Sequence, residues 1–121
     1  MAERLLLDSN IVIGILNNSL SSENLTSAED IFISAVTVME LYALAGISAG
    51  EERVIDRFIA AIGILPVSTA VARQAGTLAR TRRQGKPDLL IAATALVYDL
   101  TLLTRNIKDF KNVAGLKIKS V

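Results

Sequence analysis

Four acidic residues stand out because their neighbours are not those that usually surround a charge. In "RLLLDSN" three leucines run straight into Asp8, and in "VTVMELYALA" Glu40 sits among apolar residues. Asp88 opens "PDLLIAATAL" directly after Pro87, and Asp109 follows "TLLT" in "TRNIKDF", with Asn106 just before it. A carboxylate buried alone is costly, so such a residue has to be paired, protonated or bound to a cation. Clustered carboxylates also raise one another's pKa unless a cation neutralises them. A site built from these four acids offers only oxygen ligands, which favours a hard divalent cation such as Mg²⁺ or Mn²⁺.

Each acid also has a plainer reading. Asp8 is a good helix N-cap, although Ser9 or Asn10 in "DSN" would serve equally well. Glu40 shares a helix face with Val36, Ala43 and Leu44, and its alternative is a side chain reaching solvent at the helix edge. Asp88, an acid in a first helical turn, complements the helix dipole. Yet it shares a face with Ile91, Ala92 and Ala95, the side expected to meet a sheet. Asn106 and Asp109 are ordinary turn residues. Asp99 lies on the Asp88 face but about 16 Å further along at 1.5 Å per residue, which excludes it from a shared site. Asp30, Glu51, Glu52 and Asp56 read as surface or helix-start charges.

The absences narrow the chemistry further. The chain has no Cys and no His. That rules out thiolate and imidazole zinc sites, thiol nucleophiles and imidazole bases. Net charge is only +1, but it is unevenly spread. Residues 1–72 carry three basic and nine acidic side chains, and residues 73–121 carry ten basic and three acidic. Such polarity suits an anionic partner at one face, or else reflects ordinary solvated helices.

The elements that must position these groups alternate between short apolar runs and helical patterns. "RLLLD" reads as a buried strand and "NIVIGILNN" as a helix, followed by the polar loop "NNSLSSENLTS". "IFISAV" is a second strand. "TVMELYALAG" is a helix capped by Gly46, and "EERVIDRFIAAIG" a helix with an acidic first turn. "ILPVS" is a third strand, held to a sheet edge by Pro66. "TAVARQAGTLARTRRQG" and "PDLLIAATALVYD" are helices, the second opening at Pro87. "TLLT" is a fourth strand and "LKIKSV" a possible fifth. This alternation predicts an α/β fold, with helices on both faces of a parallel sheet of four to five strands. Ligands of such sheets bind at the carboxyl ends of the strands, where strand order reverses, and Asp8 lies at one such end.

At 121 residues, 51% of them apolar, the chain is expected to be a single domain, 1–121. Its longest apolar run, Leu89–Tyr98, is half the roughly 20 residues of a membrane span. The N-terminus lacks the features of a signal peptide, so a cytoplasmic protein with no membrane contact is expected.

Three blocks, "LLLDSNIVIGIL", "ISAVTVMELYAL" and "DLLIAATALVYDLTLLTRNIKDF", resemble the PIN-domain family, in particular the VapC toxins of prokaryotic toxin–antitoxin pairs. The resemblance spans nearly the whole chain in order, and the last block is its most specific part. It implies a three-layer α/β/α sandwich and a Mg²⁺- or Mn²⁺-dependent endoribonuclease whose metal-holding acids are Asp8, Glu40, Asp88 and Asp109. Asn106 matches a polar neighbour of that site. The resemblance also implies a homodimer inhibited by a small antitoxin. Ser9 departs from it mildly, standing where threonine is common.

With RNA as substrate, the basic half acquires a role. Arg73, Arg80 and Arg83 are predicted to project from similar angles on one helix, with Arg82 on its apolar side. Arg80, Arg83, Lys86 and Arg105, with Lys108 nearby, are candidate contacts to RNA phosphates. With three Phe and two Tyr, a broad base-stacking platform is not expected. The rival reading is a non-catalytic or housekeeping PIN-like module that binds RNA or protein; the presence of all four acids disfavours the non-catalytic form. A phosphoacceptor signalling domain would want an acidic pair near the N-terminus, and a haloacid-dehalogenase-type phosphatase a second Asp where Asn10 stands.

Overall fold

The computed structural model describes residues 3–25, 28–83 and 85–121; Thr26 and Ser27 of the polar loop, and Gln84 of the long basic segment, lie outside them. Among the described residues the chain forms five strands, all parallel: β1 (Glu3–Leu7), β2 (Ala28–Ser34), β3 (Gly63–Leu65), β4 (Thr101–Thr104) and β5 (Lys117–Ser120). Six α-helices connect them: α1 (Ser9–Leu16), α2 (Ala35–Tyr42), α3 (Ala49–Ala61), α4 (Thr69–Ala79), α5 (Lys86–Tyr98) and α6 (Ile107–Phe110). The strand order is β3-β2-β1-β4-β5, so the chain builds outward from β1 in one direction and then restarts on its other side at β4.

The three consecutive leucines of β1 follow from its central place. Successive strand side chains point to opposite faces, so a strand covered on both sides reads as an unbroken apolar run. Leu5 and Leu7 enter a core with Ile11, Val12, Leu41 and Ile55 from α1, α2 and α3. Leu6 enters the opposite core with Ile91, Ala92 and Ala95 of α5 and with Phe110. β4 repeats the arrangement, Leu103 facing the first core and Leu102 the second. Helix α5 is apolar nearly all round because Leu89 and Ala93 pack against Val71 and Ala75 of α4, on the side away from the sheet. These contacts make the three-layer sandwich. Among the described residues no helix is long and apolar enough to cross a membrane.

Several boundaries differ from the sequence reading. Helix α2 begins at Ala35, where β2 was expected to continue, because the Ser34 hydroxyl accepts the Val36 N–H and caps it. It stops at Tyr42, short of Gly46; the exposed Leu44 and Ala45 have no core to meet. Helix α4 ends at Ala79, not Gly85. Its last turn tightens through Arg80 N to Thr77 O and Thr81 N to Leu78 O, both 3.3 Å, and the following residues offer no apolar stripe to bury. β2 reaches back to Ala28, since pairing with β1 recruits residues whose own composition does not suggest a strand. β3 lies at the sheet edge, and Pro66 follows it directly.

Candidate active site

Strand order reverses between β1 and β4, the place where an open parallel sheet leaves a crevice at its carboxyl ends. Asp8 stands there. Its N–H donates to Leu103 O at 3.0 Å, one step beyond the β1–β4 ladder, and its side chain is only 3% exposed. Oδ1 accepts the Ser9 N–H at 2.8 Å, making Asp8 itself the N-cap of α1. Capping and site placement are therefore two uses of one carboxylate, and Ser9 and Asn10 lie within the helix. Oδ2 accepts a 2.8 Å hydrogen bond from Thr104 Oγ1, at the end of β4. Thr104 in turn accepts the Asn106 N–H at 2.9 Å, which ties the turn after β4 to the same point.

Glu40 lies in the last turn of α2, half-buried, and Oε1 accepts from Ser9 Oγ at 2.6 Å. Ser9 Oγ is also 2.9 Å from Thr37 Oγ1. Of the apolar face expected around Glu40, Val36 is buried but Ala43 and Leu44 are exposed, since the helix has already ended. A serine from α1, rather than an apolar sheath, constrains this carboxylate. Asp88 is in the first turn of α5, above Ile91, Ala92 and Ala95, which pack on the sheet as expected. It is half-buried and has neither a hydrogen-bond nor an ion-pair partner among the described residues. Asp109 is exposed on the short α6. Asp99, the excluded acid, ends α5 in a left-handed conformation and pairs with Lys117 at 3.0 Å.

Asp8 and Asp88 feel the charge of neighbouring acids. Burial pushes the Asp8 carboxyl above its ordinary value, hydrogen bonds from Thr104 and Ser9 pull it down, and the charges of Glu40 and Asp109 push with burial. Burial likewise raises Asp88, reinforced by the charges of Asp8, Glu40 and Asp109. Among the described residues, Asp8, Glu40 and Asp88 form no ion pair that would relieve this repulsion. The donor set fits a hard divalent cation in chemistry: all carboxyl oxygen, with Asp88 unpartnered among the described residues. It is not drawn together in advance, since no group of three acids among the described residues forms a ready metal-holding set.

The basic residues divide. Arg80, Arg83 and Lys86 are exposed around the turn from α4 to α5 that leads into Asp88. Arg73, Arg80 and Arg83 do not share a helix face, because α4 ends before Arg80. Arg82 donates to Asn112 O at 3.2 Å. Arg105 turns back onto α1, where Nη2 donates to Asn10 O at 3.3 Å and lies over Gly14; a Cβ at Gly14 would come within 3.0 Å of it. Lys108 is exposed on α6. Asn106 contributes its backbone N–H to the site's frame, while its exposed side chain makes no cap bond.

Sequence reading missed Thr37 and Thr104, both fully buried, and took Ser9 as an alternative helix cap and a variant residue rather than as a hydrogen-bond donor to the site. The available signal was a hydroxyl within an apolar run, in "ISAVTV" and "TLLT", because a buried hydroxyl must find a hydrogen-bond partner. Elsewhere, an apolar cleft of about 320 Å³ lies between α1, α2 and α3, lined by Ile13, Leu16, Leu41, Leu44, Ile47 and Val54 among others. None of the four acids lines it.

The family model of the PIN domain matches residues 5–116, a span that contains every acid of the site. Ribonuclease VapC10 of Mycobacterium tuberculosis is 34% identical over 122 residues, covering 93% of this chain and 90% of that protein. The tRNA(fMet)-specific endonuclease VapC of Shigella flexneri is 35% identical over 126 residues, covering 94% and 95%. Among solved structures, VapBC-1 from nontypeable Haemophilus influenzae superposes with a TM-score of 0.84 at 25% identity, covering 96% of each chain. VapBC2 from Rickettsia felis, solved bound to a promoter DNA fragment, superposes with a TM-score of 0.82 at 26% identity, covering 97% of this chain and 98% of that one. Similarity of sequence and of fold over nearly the whole length thus agrees with the geometry at the β1–β4 crevice: the chain belongs to the PIN-domain family, among its VapC-like toxin ribonucleases.

Proposed function

We propose that this chain hydrolyses RNA phosphodiester bonds as the toxin of a toxin–antitoxin pair, with Asp8, Glu40, Asp88 and Asp109 holding Mg²⁺ or Mn²⁺. The observation that carries this reading is geometric: Asp8 stands at the strand-order switch, its neighbour Ser9 donates to Glu40 at 2.6 Å, and the half-buried Asp88 is left unpartnered among the described residues. A bound divalent cation supplies positive charge there, which makes the carboxylates tolerable together, polarises a phosphate and acidifies water. The chain's own residues do the rest. Thr104 and the Ser9 N–H orient Asp8, and Ser9 Oγ orients Glu40, so two acids are held before any substrate arrives. Arg80, Arg83 and Lys86, exposed in the stretch of chain that leads into Asp88, attract the polyanion. In hydrolysis, water adds to phosphorus, the bond to the leaving oxygen breaks, and that oxygen takes up a proton.

Partners follow from the same reading. The relatives solved as VapBC assemblies point to a small antitoxin for this chain as well, and the family pattern to a homodimer in the cytoplasm. The exposed Leu44 and Val54 line the apolar cleft and offer an antitoxin segment an apolar seat. The test is RNA cleavage by the purified chain with Mn²⁺, with EDTA, and with Asp88→Asn. EDTA is expected to abolish cleavage. Asp88→Asn breaks no hydrogen bond, so it should fold normally, and it should lose at least about a hundredfold in rate, the upper end for disturbing a group that merely supports a ligand. Cleavage unchanged in EDTA removes the metal. An active Asp88→Asn removes that residue, and no cleavage under any condition favours a binding module.

A further inference from the structure

Ser9 Oγ has two oxygen neighbours on α2, Glu40 Oε1 at 2.6 Å and Thr37 Oγ1 at 2.9 Å, but a hydroxyl carries one proton. The Ser9 hydroxyl donates to Glu40 Oε1, and that uses its one proton. Thr37 must then be the donor to Ser9. Thr37 is fully buried, and Ser9 is its side chain's only hydrogen-bond partner among the described residues. Thr37 and Glu40 stand three residues apart on one face of α2, and Ser9 from α1 is seated between them. The result is a directed chain, Thr37 to Ser9 to Glu40, in which each donation fixes the next and strengthens it.

We propose that Thr37 is a positioning residue that acts through Ser9 to hold the Glu40 carboxyl group in a fixed direction among the metal-holding acids. This rests on the reading given under Proposed function. Without the Thr37 donor, the Ser9 hydroxyl loses the contact that sets its rotor. Glu40 then loses its fixed direction. Thr37→Val removes the hydroxyl with little change of shape, and Thr37→Ser keeps it.

Mn²⁺ affinity of the full chain, measured by calorimetry without RNA, is expected to weaken about tenfold in Thr37→Val, the lower end for a group that orients a ligand. It should stay near wild type in Thr37→Ser. Cleavage by Thr37→Val should show a lower kcat at limiting Mn²⁺ that recovers at saturating Mn²⁺, with KM for RNA unchanged. Because the two hydroxyls act in series, Ser9→Ala with Thr37→Val should bind Mn²⁺ no more weakly than Ser9→Ala alone. If Thr37→Val does not fold, Thr37→Ala against Thr37→Ser makes the same comparison. Wild-type affinity in Thr37→Val, an affinity in Thr37→Ser as weak as in Thr37→Val, or multiplicative losses in the double variant overturns this inference alone. A wild-type chain that takes up no Mn²⁺ overturns the metal reading, and this inference with it.

Discussion

Thr104→Val probes how the fold tolerates Asp8. Thr104 is fully buried, donates to Asp8 Oδ2 at 2.8 Å and accepts the Asn106 N–H at 2.9 Å. Valine fills the same volume, so no cavity term enters. The lost hydrogen bond to a charged group contributes about 1.5–3 kcal/mol. The Asn106 N–H also loses its acceptor, at the low end of about 1 kcal/mol, because water reaches that exposed turn. We therefore expect a destabilisation of about 3 kcal/mol at neutral pH, a large share of the 5–15 kcal/mol typical of a domain. At this chain length that lowers Tm by about 10 °C. The sign with pH follows from Asp8. Its pKa is already raised by burial, and the Thr104 bond is one of the influences holding it down. The bond is roughly twice as strong to the ionised carboxyl as to the neutral one, so the penalty grows as pH rises through the Asp8 pKa and shrinks in acid. Urea unfolding in EDTA at neutral and acid pH, with m unchanged, measures it. A penalty below about 1 kcal/mol, or one independent of pH, refutes the account of Asp8 as an ion held by Thr104.

The contribution of Asp8 and Asp88 to metal-free stability should fall as pH climbs from about 4, the ordinary carboxyl range, through their raised values. Both groups bind their protons more tightly folded than unfolded, so their contribution is present in acid and lost as they ionise. Urea midpoints against pH for wild type and Asp88→Asn should diverge as pH rises, the variant becoming the more stable; parallel curves contradict the prediction. Arg80→Ala with Arg83→Ala should weaken RNA binding and flatten its dependence on salt by about one to two phosphate contacts. A slope equal to wild type in a filter-binding titration takes these residues out of the interface. Gly63→Ala should destabilise by about 1–3 kcal/mol, because its Cβ would meet Phe32 Cδ1 at 2.6 Å and force the ring to move. Thermal unfolding at wild-type Tm would show that the ring yields freely.

Where a residue's surroundings are set by its immediate neighbours in the chain, the sequence was legible. The leucines of β1 announced a strand covered on both faces, and Pro87 with the apolar run after it announced α5. The boundaries misjudged were those set by distant partners. β2 extends to Ala28 because β1 pairs with it, and α4 stops at Ala79 because nothing beyond it has a core to enter. Arg105 is a basic residue beside the site in sequence, but its guanidinium lies on α1, over the space that Gly14 leaves open.

The candidate site divides in the same way. Residue types alone excluded thiol and imidazole chemistry and marked Asp8, Glu40, Asp88 and Asp109 as carboxylates in unusual company. Which hydroxyl holds which acid could not be seen along the chain, since Thr104 lies 96 positions from Asp8, and Ser9 lies 31 from Glu40. Periodicity and end signals act over one or two helical turns, so the chain by itself determines its elements and the chemical kinds it carries. Which oxygen accepts from which hydroxyl, and how far burial and neighbouring charge lift a carboxyl, depends on distances that exist only once the sheet has closed β1 against β4 and packed α1 against α2.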